Sequence, residues 1–280
     1  MAGSFSNSWK LVKASTNVLM LDKELLVFPL MSGIATLLVT ATFVAPIVVS
    51  GGWEMLDEEN VSYFGYVLGF LFYFVQYTVI FFFNSALVGA ALIRLGGGDP
   101  TVSDGLAIAS KRMGSIIGYA AISATVGMIL RAISERSGFL GDLVAGLVGM
   151  AWSLATYLVV PILVTEDVGP IDAVKKSGAL FKKTWGEQVV GNFGMGWAMA
   201  LMWISWSAVW ILATVLVGNI FSSGAALAPF VVVGILGYVF LALFSSALKG
   251  VYTAALYRYA TTGEAGFFDP NIMGNAFRPK

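Results

Sequence analysis

Six long apolar runs constrain this chain more than any other feature of its sequence. Each has about twenty or more residues with little or no charge, enough for a helix to cross the roughly 30 Å hydrocarbon core of a bilayer. The strands of a membrane barrel alternate in polarity over about ten residues, whereas apolar residues here are continuous, so we expect an all-α membrane protein with six transmembrane helices. The predicted spans are Leu25–Val49, Tyr63–Leu95, Met113–Ile133, Gly138–Val164, Val189–Val217 and Ala226–Tyr259.

The positions of lysine and arginine predict the orientation of the spans. If residue 1 lies in the cytoplasm and the chain crosses six times, all of the 16 Lys and Arg residues except Arg131 and Arg136 fall in inner segments. The first outer loop, GGWEMLDEEN, is purely acidic. Short cytoplasmic loops carry an excess of Lys and Arg, so we expect both termini in the cytoplasm. The first run is longer than the apolar part of a signal peptide, and we expect it to be retained as an anchor.

Composition excludes several kinds of chemistry. The chain has no cysteine and no histidine, which removes disulfides, thiolate or imidazole metal ligands, and catalytic triads that use either residue. The carboxylates with a conceivable catalytic role, Glu166, Asp167, Asp172 and Glu187, lie between spans at the membrane interface. We therefore expect no enzyme activity, no cofactor, and no nucleic-acid partner.

The segment VTEDVGPIDAVKKSGALFKKTWGEQ is unusually charged for this chain and has the pattern of an amphipathic helix. At 100° per residue one face collects the apolar side chains and the adjoining face collects lysines, which is typical of a helix in the membrane interface. Pro170 suits the first helical position and Gly169 an N-cap. The lysines are candidate contacts for anionic lipid headgroups, although topology bias explains them equally well. The apolar face has Ile171, Val174, Gly178, Phe181 and Trp185, and the candidate lipid contacts are Lys175, Lys176, Lys182 and Lys183.

Two further amphipathic segments precede odd-numbered spans and suggest an internal repeat. The first aligns Phe5, Trp9, Val12, Thr16 and Leu19, and the second aligns Val102, Leu106, Ala109 and Met113 after a capping box at Thr101–Asp104. We interpret the chain as a single membrane domain, residues 1–280. It has three units of interfacial helix plus hairpin, at residues 4–95, 99–165 and 169–260, and a cytoplasmic tail at 261–280. The second and sixth spans share Ser-Ala-Leu-x-Gly and Ala-Ala-Leu-x-Arg, whereas the fourth has Pro161 instead.

Polar residues inside the spans are few. Gln76, Asn84, Asn192 and Lys249 are candidates for a polar pathway, with hydrogen bonding between helices as the alternative. Counting about 1.5 Å per residue puts Lys249 at the cytoplasmic boundary, where an interfacial lysine with no further role is the competing interpretation. The same count carries the second and sixth helices beyond the bilayer, unless they tilt, and their apolar extensions would need the interfacial helices as cover.

Small and aromatic residues also recur at helical spacing. Gly65-x3-Gly69, Gly114-x3-Gly118 and Gly234-x2-Gly237 indicate close helix packing, within one chain or between copies. Trp203, Trp206 and Trp210 form a stripe on the fifth span. That stripe fits a lipid-facing or helix-packing surface, or else a groove for an apolar ligand.

The stretches SWKLVKAS, LDKELLVFPLMSGIA and VVPILVTEDVGPIDAVKKSGALFKKTWGEQVVGNFG resemble an uncharacterised family of prokaryotic integral membrane proteins, over essentially the full chain. That resemblance implies a six-helix domain with no established activity in a prokaryotic cytoplasmic membrane. The pattern Pro161, Glu166, Ala173, Ser177, Trp185 and Gly186 also resembles membrane regions that precede glycerophosphodiester phosphodiesterase domains. The second likeness implies no catalysis, because that domain is absent and no histidine could serve its metal site.

Three classes of function remain. The chain could be a scaffold or accessory subunit acting on lipids or on a membrane-protein partner, or a small-solute or lipid transporter or channel. The third class is an intramembrane enzyme that uses interfacial carboxylates or Ser/Lys pairs. We expect the first, with transport as the main alternative. The sequence does not distinguish a monomer from a homo-oligomer.

Overall fold

The computed structural model describes residues 2–50, 63–136, 138–185, 195–220 and 224–274. Within these ranges the chain is helical and has no β-strand. A 3₁₀-helix, Lys23–Leu26, joins the first two α-helices. The α-helices are α1 (Ala2–Leu21), α2 (Val27–Ser50), α3 (Tyr63–Leu95), α4 (Val102–Lys111), α5 (Met113–Arg136), α6 (Gly138–Ala155), α7 (Val159–Thr165), α8 (Pro170–Trp185), α9 (Gly196–Ile220), α10 (Gly224–Thr262) and α11 (Pro270–Gly274).

Six helical segments are long and apolar enough to cross a membrane, judged by length and composition. The six predicted apolar helices are therefore confirmed. The acidic loop between the first two, and the predicted start of the fifth at Val189, lie outside the described residues. The segments are Lys23–Val49, Tyr63–Leu95, Met113–Glu135, Gly138–Thr165, Ala198–Gly218 and Pro229–Thr262.

The fourth predicted span, Gly138–Val164, is confirmed as an apolar segment, but it is not one continuous helix. It consists of α6 and α7, separated by a turn at residues 156–158. Pro161 explains the interruption. A proline inside a helix has no amide proton, and its ring collides with the carbonyl four residues earlier, here that of Tyr157.

The packed core lies at one end of the helix bundle. In α3 the buried residues are confined to the last third, from Ser85 to Leu95, while Tyr63 and Phe64 at the other end are exposed. A similar division holds in α10, where Ala247, Leu248 and most residues from Gly250 to Tyr257 are buried, whereas Phe240 is exposed. The other end of the bundle thus has exposed apolar side chains, the kind of surface that a bilayer would cover.

Three helices that are shorter than the six candidate spans pack against those spans in a cyclic order. We call α1, α4 and α8 the short helices. Helix α4 packs on α3, α8 packs on α6 and α7, and α1 packs on α10. The sequence-adjacent pairs α2–α3, α5–α6 and α9–α10 also pack together, as do α3, α7 and α10 in the centre. Helices α4 and α8 therefore each pack on the pair that precedes them in sequence. Helix α1 packs on the last pair, α9–α10.

The buried faces of α1 and α8 are rotated from their predicted positions. Ile171 is 59% exposed and Trp9 is 51% exposed, although both were assigned to apolar faces. The positions that are buried instead are often small, including Ser15, Ala173 and Ser177. Small residues let helices approach closely, and apolar periodicity gives them too little weight.

Hydrogen bonds and glycines define the ends of several helices. Gly97 after α3 and Gly263 after α10 have positive φ angles of 89° and 75°, which only glycine adopts without strain. The predicted capping box at Thr101–Asp104 is confirmed at the start of α4. The Thr101 hydroxyl and backbone amide both hydrogen-bond Asp104, and these bonds lower the pKa of that carboxyl below its ordinary value of 3.8.

Buried polar contacts tie the remaining segments to the core. Arg94 pairs with the buried Asp22 and with Asp99. Residues after α10 also pack on the core, because the indole nitrogen of Trp185 donates to the carbonyl of Met273 at 3.3 Å. Part of the predicted tail is therefore integral to the fold.

Candidate functional site

A cavity of about 930 Å³ lies among the helices at the border of the packed core. Ligand pockets in proteins are typically about 300–1,000 Å³, so the cavity could hold a sizeable molecule. Helices α2, α3, α5, α6, α7 and α10 and the turn after α6 all contribute to its wall. The lining residues are Phe28, Pro29, Ser32, Ile80, Phe81, Phe83, Asn84, Leu87, Val88, Tyr119, Met150, Ser153, Leu154, Thr156, Tyr157, Val160, Ser246, Lys249, Gly250 and Thr253.

The cavity opens sideways between α6 and α10. Most of its exposed lining residues, Met150, Ser153, Ser246 and Lys249, lie on these two helices. Among the described residues α6 and α10 form no extended contact with each other, although each packs on other helices. We call this opening the mouth. In a membrane-spanning bundle a mouth of this kind leads into the bilayer rather than into water.

The charge in the cavity is positive. Lys249 is the one ionisable cation among the described lining residues, and none of them is acidic. The ion pairs formed between described residues do not include Lys249. Asn84 lies on the facing helix α3, and its Oδ1 is 3.8 Å from the position that a Cβ on Gly250, the residue after Lys249, would take. A carboxamide and an ammonium group therefore both line an otherwise largely apolar cavity.

Hydrogen bonds hold the backbone around Lys249. The hydroxyl of Thr253 donates to the carbonyl of Lys249 at 2.8 Å, and Tyr157 hydrogen-bonds Thr253 from the turn after α6. The amide of Leu158 in the same turn donates to the Ser177 hydroxyl of α8 at 3.0 Å. Non-helical backbone at membrane depth needs such partners or a cavity beside it. The break thus belongs to the wall of the site.

Close packing of α3 on α10 forms the inner end of the cavity. Gly250 has no space for a side chain, because a Cβ there would collide with Leu87. Both residues belong to the shared Ser-Ala-Leu-x-Gly pattern of the two helices. The repeated pattern therefore builds the contact that sets the position of Lys249.

Lys249 lies within the apolar segment of α10, which runs from Pro229 to Thr262. It follows Pro229, the start of the apolar segment, by roughly 20 residues, which is about 30 Å at ~1.5 Å per residue. Asn84 is at a similar distance from the start of α3 by the same count. This is close to the thickness of a hydrocarbon core, so the polar part of the cavity would lie at headgroup depth if the hydrocarbon began at Pro229.

The candidate polar residues divide into two groups. Asn84 and Lys249 line the cavity together, whereas Gln76 does not line it. The Gln76 amide nitrogen donates to the Thr40 hydroxyl at 2.7 Å and to the Thr36 carbonyl at 3.2 Å, which links α3 to α2. Asn192 lies outside the described residues.

The candidate headgroup contacts on α8 are all exposed: Lys175, Lys176, Lys182 and Lys183. Lys176 pairs with Glu166, and the Lys175 ammonium is 3.6 Å from Asp172. The opposite face of α8 is buried through Phe181 and Trp185. The helix therefore presents cations outward while its other face packs on the core.

The interfacial carboxylates are held in ion pairs. Glu166 also accepts a hydrogen bond from the Tyr257 hydroxyl at 3.0 Å, which joins α7, α8 and α10. Asp167 pairs with Arg112, and Glu187 lies outside the described residues. These contacts give Glu166 and Asp167 a role in joining helices.

The tryptophan stripe of α9 packs against α10. Trp206 and Trp210 occupy the space over Gly237 and Gly234, where no side chain would fit beneath them. Trp203 stacks on Tyr238 with ring centroids 5.9 Å apart. The predicted pattern Gly234-x2-Gly237 on α10 and the predicted tryptophan stripe on α9 thus form the two sides of one helix contact.

Sequence reasoning missed several residues of the cavity, chiefly Tyr119, Tyr157 and Thr253. Hydroxyl-bearing residues are common in apolar helices and gave no signal of their own. The available signal was Pro161, which predicts a break four residues earlier and so marks Tyr157.

Comparisons with known proteins identify the family without assigning an activity. Residues 63–267 match DUF6159, a family of unknown function, and the chain belongs to that family. The match covers less of the chain than the expected resemblance, since α1 and α2 lie outside it. The likeness to membrane regions of glycerophosphodiester phosphodiesterases is not shown. No curated protein and no solved structure matches the chain.

Proposed function

We propose that this member of the DUF6159 family is a non-enzymatic, multi-pass protein of a prokaryotic cytoplasmic membrane that binds a membrane lipid in its cavity. It would act as a scaffold or accessory subunit on lipids or on a partner protein, another membrane protein or a second copy of itself. One observation carries the proposal. The cavity is largely apolar and has its mouth between two apolar helices.

The proposed membrane arrangement has three hairpins, α2–α3, α5–α6/α7 and α9–α10, with both termini in the cytoplasm. The asymmetry of Lys and Arg along the sequence supports this orientation. The amphipathic helices α1, α4 and α8 lie at the inner interface in this arrangement. The exposed lysines of α8 would contact anionic headgroups at about 1 kcal/mol per charge.

The proposed threefold repeat is supported by the cyclic packing order of the short helices. Helices α4 and α8 pack on the preceding pair of spans, and α1 packs on the last pair. This order is expected if three equivalent units are arranged around a common axis. The mouth interrupts this pattern, because in the described part of the chain α9 packs on α10 and α1 and forms no extended contact with α6. The gap between α6 and α10 would create the lipid entrance.

A non-enzymatic role is supported by the side chains available. The sequence has no histidine or cysteine, and Glu166 and Asp167 are engaged in contacts between helices. Among the described residues, no acidic side chain lines the cavity with Lys249.

Transport is the second candidate, and the interruption of α6–α7 favours it. Discontinuous helices near a binding site are common in secondary transporters, and this one borders the cavity beside Lys249. A transporter would need the cavity to open to both sides of the membrane. Uptake or lipid translocation by reconstituted vesicles would distinguish it from a scaffold.

Obstructing the mouth tests lipid binding. Ser153→Phe places a ring at the mouth, while Ala151→Phe places the same ring on an exposed position of α6 outside the cavity. Native mass spectrometry of protein purified in mild detergent should show a retained lipid in the wild type and in Ala151→Phe, and its loss in Ser153→Phe. A wild-type protein that carries no lipid would refute the proposal.

A further inference from the structure

We propose that the cavity selects an anionic glycerophospholipid, whose phosphate binds Lys249 while its acyl chains leave through the mouth. This inference rests on the proposed lipid binding and adds the chemical class of the ligand. It is argued from the charge at the site, the polar groups around it, and the direction in which the site opens.

Lys249 has no acidic partner among the described residues, and it differs from the other unpaired lysines there in lining the cavity. Arg94, Arg112, Lys176 and Arg258 at the same end of the bundle each pair with a carboxylate. An ammonium group at the edge of the hydrocarbon is costly unless an anion or water compensates its charge. The described lining residues include no carboxylate to do so, and a bound anion would.

The polar groups near Lys249 are suited to an anion with several acceptor oxygens. Asn84 offers an amide donor that no hydrogen bond between described residues occupies, and Ser246 offers a hydroxyl one turn away on α10. Phosphate oxygens accept charge-assisted hydrogen bonds from lysine. An ammonium, an amide and a hydroxyl on two facing helices therefore form a site for a phosphate.

The absence of acidic lining residues favours a net anionic lipid over a zwitterionic one. A zwitterionic headgroup would bring its own cation into a part of the cavity that already holds Lys249. No described lining residue carries the negative charge needed to pair with that second cation. In an anionic lipid such as phosphatidylglycerol, the phosphate is linked to an uncharged glycerol and not to a cationic group. Such a lipid therefore avoids this repulsion.

The mouth suits a ligand whose chains remain in the membrane. Met150 and Ile80 are apolar lining residues that are also exposed, 49% and 38% respectively. They connect the cavity to the apolar surfaces of α6 and α3. A diacyl lipid can therefore place its headgroup inside while its chains follow these surfaces into the bilayer.

The test compares the lipids retained by wild type, Lys249→Met and Lys249→Arg. Each is reconstituted with equal amounts of phosphatidylglycerol and phosphatidylcholine and examined by native mass spectrometry after extraction. We expect wild type and Lys249→Arg to retain phosphatidylglycerol preferentially. Lys249→Met should lower that preference roughly tenfold or more, the usual effect of losing a hydrogen bond to a charged group. Lys111→Met, which removes an exposed lysine of α4 outside the cavity, should behave like wild type.

The outcomes separate this inference from the proposed function. Retention of phosphatidylglycerol by Lys249→Met with its preference unchanged would overturn the inference and leave lipid binding intact. Equal retention of both lipids by the wild type would do the same. Retention of oleate by the wild type, with no retention of phosphatidylglycerol, would identify a fatty acid as the ligand and would also overturn the inference. Lys249 is exposed, so the variants should fold, and gel filtration checks this.

Discussion

The amide of Leu158, in the turn between α6 and α7, donates a hydrogen bond of 3.0 Å to the hydroxyl of Ser177 on α8. Pro161 interrupts the helix, and Ser177, which is fully buried, satisfies a backbone donor in the turn that results. A short amphipathic helix and the wall of the cavity are therefore coupled by one hydrogen bond.

Ser177→Ala should destabilise the protein by about 1–3 kcal/mol, because it leaves the Leu158 amide without its partner in a buried environment. Unfolding in a titration with a denaturing detergent would measure the loss. Ser110→Ala on the exposed side of α4 serves as the control and should change stability little. Equal stability of the two variants would show that the hydrogen bond is unimportant.

Gly250→Ala should cost about 1–3 kcal/mol through overpacking against Leu87. In a Leu87→Ala background the same substitution should cost much less, because the colliding atoms are gone. Gly114→Ala, at a helical glycine with open space around it, should be neutral or stabilising. A cost at Gly250 that is independent of residue 87 would contradict the proposed contact between α3 and α10.

The Arg94–Asp22 pair should contribute more than the surface pairs. Asp22 is 7% exposed, so Arg94→Met leaves a nearly buried carboxylate uncompensated and should cost about 3 kcal/mol. The pair Lys175–Asp172 is 74% and 71% exposed, and Lys175→Met should cost less than about 1 kcal/mol. Comparable losses in the two variants, measured in the same detergent titration, would argue against a special role for Asp22.

Asp104 should make the stability of α4 dependent on pH. Hydrogen bonds from Thr101 lower the pKa of Asp104, so its contribution is present above the pKa of the unfolded chain and is lost as the pH falls through the lower, folded value. The wild type should melt above Asp104→Asn at neutral pH, and the two should converge in acid. A difference that persists unchanged in acid would exclude the carboxylate as its cause.

Cysteine labelling should establish the orientation, because the natural chain has no cysteine to interfere. Ser103→Cys, in the exposed part of α4, should react with a membrane-impermeant maleimide only after the cells are opened. Glu58→Cys, in the acidic loop, should react in intact cells. The reverse pattern would invert the proposed topology.

The sequence predicted the six apolar helices because length and hydropathy alone determine which segments can cross a membrane. It predicted the buried faces of α1 and α8 less well, since Ser15, Ala173 and Ser177 are buried for their small size rather than their hydropathy. Polarity within apolar runs did single out Asn84 and Lys249. It could not show that they share a cavity, because that depends on which helices meet and on the missing contact between α6 and α10.

The concentration of buried residues at one end also makes the two leaflets unequal for this molecule. The far halves of α3 and α10 have few fully buried residues, so in the proposed membrane arrangement acyl chains would contact them, and a thinner or thicker bilayer would act there as hydrophobic mismatch. The near halves are held by protein contacts and would tilt as a unit. Changes in membrane thickness should therefore alter the spacing of the free helix ends while leaving the packed end unchanged.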